Sequence, residues 1–173
     1  MRLREKSKLA HEKAVADNLF KELKIRQLGS RPGNPDRKEP DRLYRINKKT
    51  IGIEVVTAYY SKREAKRAAE VAEKPLAVNE IALGEIMGSP DDAICEAIQK
   101  NLDEKCCKTY SGTDETWLCI NVEVGITEMA VIQDCVAILE VPENQFARIF
   151  VTMRKSDAEG GGFGVLEIPV KKS

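Results

Sequence analysis

The sequence predicts an α/β fold, a mixed β-sheet flanked by helices. Three observations predict it. Apolar residues recur at spacings of three and four over residues 5–28 and 89–110, as on one face of a helix. Short runs over 41–46, 51–59, 116–124, 148–154 and 164–170 read as strands. Helical and extended segments interleave in the order α-β-β-α-α-β-α-β-β, which an all-helical or all-β protein would not show.

The first helix carries Leu9, Ala16, Leu19, Phe20 and Leu23 on one stripe, with Glu5 and Glu12 on that same stripe. Gly29-Ser30 is expected to end it, and residues 31–40, with three prolines, to form a loop. Residues 41–46 and 51–59 follow as a hairpin turning at Asn47-Lys48-Lys49. Along its second strand Ile51, Ile53 and Val55 share one face, and Gly52, Glu54 and Val56 the other. Residues 61–87, rich in alanine and glutamate, favour helix. Ser89-Pro90-Asp91-Asp92 is a helix start, followed by the stripe Ile94, Ile98, Leu102 and Cys106 towards Tyr110. A buried strand over 116–124, a helix over 127–139 and two strands around Gly160-Gly161-Gly162 complete the order. The glycine run is followed by a strand and lacks a phosphate-loop pattern, so it reads as a hairpin tip.

A chain of 173 residues suggests one domain spanning 1–173. No apolar run approaches a bilayer's width, and the charged start Met1-Arg2-Leu3-Arg4 argues against a secretory signal, so a cytoplasmic setting without a membrane partner is expected. The five cysteines follow no pairing pattern and read as reduced thiols, Cys106-Cys107 included. With one histidine, His11, read as a surface residue, triad hydrolysis and zinc sites lose their usual groups. Charge is uneven. Residues 1–50 hold 15 Lys and Arg against 7 Asp and Glu, while the remainder holds 13 against 21, and a basic third hints at a polyanionic partner.

The chemistry concentrates in Pro40-Asp41 and, thirteen residues on, Glu54 within Ile51-Gly52-Ile53-Glu54-Val55-Val56. Carboxylates at the start of one strand and inside its partner can converge across a hairpin. With the backbone carbonyl of Val55 they offer oxygen ligands of the kind that suit Mg²⁺ or Mn²⁺. Gly52 is expected to leave room for a ligand beside Glu54.

These pieces resemble the PD-(D/E)XK nuclease superfamily, the restriction endonuclease-like fold, over roughly residues 5–124. They are Pro40-Asp41, the strand Ile51-Gly52-Ile53-Glu54-Val55, a preceding helix with Glu12, and a lysine-rich helix before the strand Trp117-Leu118-Cys119-Ile120. The resemblance implies metal-dependent hydrolysis of phosphodiesters in nucleic acid, DNA first, with Asp41 and Glu54 on the metal and Glu12 joining them. It leaves homo-oligomerisation open. It has one departure: the lysine due two residues after Glu54 is Val56. In some branches that lysine sits on a neighbouring helix. Counting 100° per residue, Lys105 falls within about 20° of Ile98, inside the apolar stripe, whereas Lys100 points away. Lys105 is therefore the migrated-lysine candidate, against the alternative of an amine snorkelling to water. By the same count Glu12 lies within about 40° of Ala16. Arg42, Arg45, Lys48 and Lys49 are the expected phosphate contacts. The competing expectation is a nuclease-like module without catalysis, which Val56 favours; a third is an unrelated α/β domain with chance Asp41–Glu54 spacing.

Overall fold

The computed structural model describes residues 3–59, 90–122 and 128–170. The expected helix over 61–87 and the Ser89 cap lie outside them. The described chain is α/β: a six-stranded mixed sheet flanked by three helices. In chain order these are α1 (Leu3–Glu22), β1 (Gly29–Pro32), β2 (Arg42–Ile46), β3 (Lys49–Ala58), α2 (Pro90–Cys106), β4 (Glu115–Val122), α3 (Met129–Ile138), β5 (Arg148–Arg154) and β6 (Phe163–Ile168). The strands lie in sequence order across the sheet. β1 to β3 form an antiparallel meander, β4 and β5 run parallel to β3, and β6 returns antiparallel on the far edge.

Alternation along β3 divides the core in two. Ile51, Ile53 and Val55 join Trp117, Cys119 and Phe150 beneath Val15, Ala16, Leu19 and Phe20 of α1. On the other face Ala58, Leu118, Ile120 and Val122 pack against Ile94, Ile98, Leu102 and Cys106 of α2 and against α3, and half-buried Val56 packs on this cluster. Helices thus cover both faces, as β3 and β4, buried on both sides, require. Asp91 and Asp92 stand in the first turn of α2, where carboxylates complement the helix dipole.

Two boundaries differ from the sequence reading. α1 stops at Glu22, well before Gly29, because Lys24 takes a left-handed φ of 54°. Ile25 N then donates to Phe20 O and Lys24 N to Lys21 O, a Schellman ending built on lysine rather than glycine. The residues after it are free to extend, so Gly29–Pro32, expected as helix end and loop, forms edge strand β1 against Arg42–Arg45. Glycine, serine and proline carry little strand propensity, and an edge position tolerates them. Gly160, Gly161 and Gly162, all at positive φ, close the β5–β6 hairpin as expected.

The expectation of five reduced thiols is corrected. Cys95 of α2 and Cys135 of α3 form a disulfide across 40 residues, while Cys106, Cys107 and Cys119 are free. Helix packing, which the spacing of cysteines does not reveal, brings this pair together. Reduction, or Cys95→Ser, is expected to cost about 3–4 kcal/mol through restored loop entropy in the unfolded chain. The check is the thermal midpoint with and without reductant.

Candidate active site

The site forms where β2 and β3 part. β2 pairs with β3 only as far as Arg42 opposite Ile53, leaving the β3 edge beyond Ile53 without a strand on that side. Asp41, one residue before β2, takes over there. Its Oδ2 accepts from Val55 N at 3.0 Å, and its own N–H donates to Glu54 Oε2 at 3.2 Å. The Val55 carbonyl leaves the strand on the same open edge as its N–H, because extended residues present both groups to one neighbour.

Close packing holds Asp41 in place. Gly33 N donates to Asp41 O at 2.9 Å, and a β-carbon at Gly33 would strike the Pro40 backbone. A β-carbon at Gly52 would come within 2.5 Å of the Pro40 ring and 2.7 Å of Thr113. The expectation that Gly52 leaves space for a ligand is corrected: Pro40 and Thr113 fill that space, and the glycine serves to seat Pro40-Asp41. Upstream, Arg31 grips both oxygens of Glu39, at 2.7 and 3.0 Å, and Asn34 N donates to Glu39 at 2.9 Å. These donors hold the Glu39 carboxyl down at about 2.

Three carboxylates converge from three directions. Glu54 rises from the α2 face of β3, Asp41 enters along the open edge, and Glu12 comes from α1. Lys105 Nζ donates to Glu54 Oε1 at 2.5 Å and is only 14% exposed, so the amine ends on a buried carboxylate instead of reaching water. Glu12 is 3% exposed. Lys8, one helical turn before it, places Nζ 3.3 Å from Glu12 Oε1 and 3.9 Å from Asp41 Oδ1. The first contact is within ion-pair range but out of line for a hydrogen bond, so Glu12 Oε1 is buried with no donor. Tyr110 also sends its hydroxyl towards Glu54 without closing a hydrogen bond.

The electrostatics follow from this crowding. Burial, then the charges of Glu54 and Glu12, push Asp41 up to about 7, against the pull of Val55 N and Lys8. Burial also raises Glu12 despite Lys8. Burial opposes the charge on Lys8, but Glu12, Asp41 and Glu54 outweigh it and hold the ammonium above its usual range. The Tyr110 hydroxyl is raised by burial and then by Glu54. The charge on Asp41 therefore costs folding energy. With its folded pKa above the unfolded value of 3.8, the advantage of the protonated form is complete below about 4 and disappears as pH rises through about 7. Metal-free Asp41→Asn keeps the acceptor for Val55 N and is expected to exceed the parent in stability at pH 8 by about 2–4 kcal/mol. The gap should close towards pH 4, as chemical denaturation at the two pH values would show; an equal gap at both would contradict this account.

The structure brings Asp41, Glu54, Glu12, Lys105 and the Val55 backbone together. It does not bring the four expected phosphate contacts with them. Arg42 is buried and donates to Ser30 Oγ at 3.1 Å, and Lys49 pairs with Glu115 at 2.6 Å. Arg45 and Lys48 are exposed at the far end of the hairpin. His11, expected at the surface, is half-buried, with Nε2 3.3 Å from Thr57 Oγ1. Lys8 escaped the sequence reading, although its place four residues before Glu12 is the spacing at which helical charges meet. Tyr110 had no such signal, since it lies beyond α2 and only the fold turns it inward.

Among the described residues no three His, Cys, Asp or Glu side chains make a ready-formed metal cage. The donors that converge are all hard oxygens, with one buried Glu12 oxygen met only by the Lys8 ion pair and Asp41 charged at a cost. That suits Mg²⁺ or Mn²⁺, which bind through one or two carboxylates and complete their shell with water and substrate phosphate. Comparison with family models, curated proteins and solved structures finds no match to the chain.

Proposed function

We propose that this chain is a metal-dependent nuclease of the PD-(D/E)XK kind, hydrolysing phosphodiesters in nucleic acid, with DNA the first substrate to test. One observation carries the reading: Lys105 of α2 reaches Glu54 at 2.5 Å, beside Asp41. That is a cation from the helix where strand position Val56 has none, since Val56 packs against the core. An amine that only snorkelled would not end on a buried carboxylate.

Asp41, Glu54 and the Val55 carbonyl would hold Mg²⁺ or Mn²⁺, with Glu12 beside them. The ion, when bound, polarises the scissile phosphate and lowers the pKa of a coordinated water. Lys105 neutralises charge developing on the phosphoryl oxygens and orients the attacking water. Lys8 offsets part of the negative charge that would otherwise repel the substrate.

Purified protein with Mg²⁺ or Mn²⁺ is expected to nick or cut plasmid, duplex, single-stranded or RNA substrates, and a chelator to stop it. Salt-sensitive binding without cleavage across metals and substrates would favour the non-catalytic module, with Val56 as the reason. Neither binding nor cleavage would leave the carboxylate cluster as buried structure, and the nuclease reading would fall.

A further inference from the structure

A substrate strand needs cations near the carboxylates, and the hairpin tip is badly placed to supply them. Lys49 opens β3 five residues before Glu54, about 17 Å away along an extended strand. Another set flanks the site from outside the hairpin, before Asp41 and after Lys105. Lys38 is three residues before Asp41, Arg37 four, and Lys108 three residues after Lys105. Each is therefore within about 10–15 Å of a site residue even with the chain fully extended.

The backbones of these three residues are pinned while their side chains are free. Ser111 ties the two segments together: its N–H donates to Lys38 O at 3.0 Å and its hydroxyl to Arg37 O at 2.5 Å. Lys38 N donates in turn to Pro35 O at 3.0 Å. Lys108 N donates to Lys105 O at 3.1 Å, and Lys108 O accepts from Gln145 Nε2 at 2.8 Å. Yet all three side chains are exposed, and none is in an ion pair among the described residues. The nearby carboxylates are mostly engaged, Glu39 by Arg31 and Asp114 by Thr50 N. Asp36 is exposed on the same turn and reduces the positive surplus without cancelling it.

We infer that Arg37, Lys38 and Lys108 form a clamp for the phosphate backbone of a nucleic acid on the rim of the Asp41–Glu54 site. The inference rests on the nuclease reading for what the held strand is presented to. Fixed backbones reduce the disorder left to quench on binding, and three exposed cations match a repeating anion. Such contacts position a strand without reading its bases, so binding is sequence-independent.

The test is fluorescence anisotropy with a labelled single-stranded oligonucleotide, a duplex of the same sequence and their RNA counterparts, in chelator so that nothing is cut. Lys38 has φ 54°, which glycine adopts more readily, so Lys38→Gly removes charge without disturbing the turn. The variant Arg37→Gln/Lys38→Gly/Lys108→Gln is expected to keep its thermal midpoint within about 2 °C. It should bind at least about thirtyfold more weakly at 100 mM salt, with the salt slope reduced by about 2–3. Arg45→Gln/Lys48→Gln at the hairpin tip should lose less. Binding by the triple variant equal to the parent's, an equal or greater loss in the tip variant, or no nucleic-acid binding by the parent would each overturn the clamp. The two readings fail separately. Loss of binding in the triple variant of a parent that never cuts keeps the clamp and removes the nuclease. Cutting by the parent with undiminished binding by the triple variant removes the clamp alone.

Discussion

Asp41→Asn and Glu54→Gln are each expected to abolish metal-dependent cleavage, by at least about a thousandfold, or about 4 kcal/mol in the barrier. Each change preserves shape. Asparagine still offers an oxygen to Val55 N, and glutamine keeps the shape of Glu54 with one oxygen left to accept from either Lys105 or Asp41 N, its amide nitrogen accepting from neither. What disappears is the negative charge that would retain a divalent ion. Nucleic-acid binding in chelator should persist or tighten, because one fewer carboxylate faces the phosphates. Single-turnover cleavage beside anisotropy reads both effects on one preparation. Undiminished cutting by either variant would show that the carboxylates do not hold the ion.

Lys105→Met is expected to lower cleavage at least about a hundredfold, because methionine keeps the stem's volume and loses the cation that faces developing charge. It also has a cost in stability that the position of Lys105 on a helix stripe does not announce. Glu54 is 8% exposed, and without the amine it becomes a buried carboxylate lacking its cation. Breaking such a pair costs about 3–5 kcal/mol in the metal-free protein. Lys105→Met/Glu54→Gln removes both charges and should recover most of that stability while remaining inactive. This combination separates the roles: stability returns with the pair neutralised, and cleavage does not. Full activity in the single variant would return Lys105 to a structural partner of Glu54.

Much of this was legible from residue types and spacing. Apolar periodicity marked α1, α2, β3 and β4, because a helix stripe and a buried strand each impose their own repeat on the chain. Thirteen residues from Asp41 to Glu54 across a hairpin place two carboxylates together, and register makes that nearly a local matter. Lys105 and Glu12 stood out as charges on apolar faces, which a chain tolerates only when a partner waits. Other features depend on contacts between distant segments. The end of α1 at a left-handed lysine, and with it strand β1, follows from tertiary packing that overrides propensity. The Cys95–Cys135 bond depends on how α2 meets α3. Gly52 marked a close approach in sequence, but only the fold shows that Pro40 makes it. The amine of Lys105 meets Glu54 across 51 residues, Tyr110 turns inward beyond a helix end, and Ser111 ties the Arg37-Lys38 segment to the loop after α2 that carries Lys108. The sequence by itself determined which residues could carry charge into the core. The tertiary structure decided which of those charges meet, because long-range approach is set by the packing of whole elements and leaves no local periodicity to read.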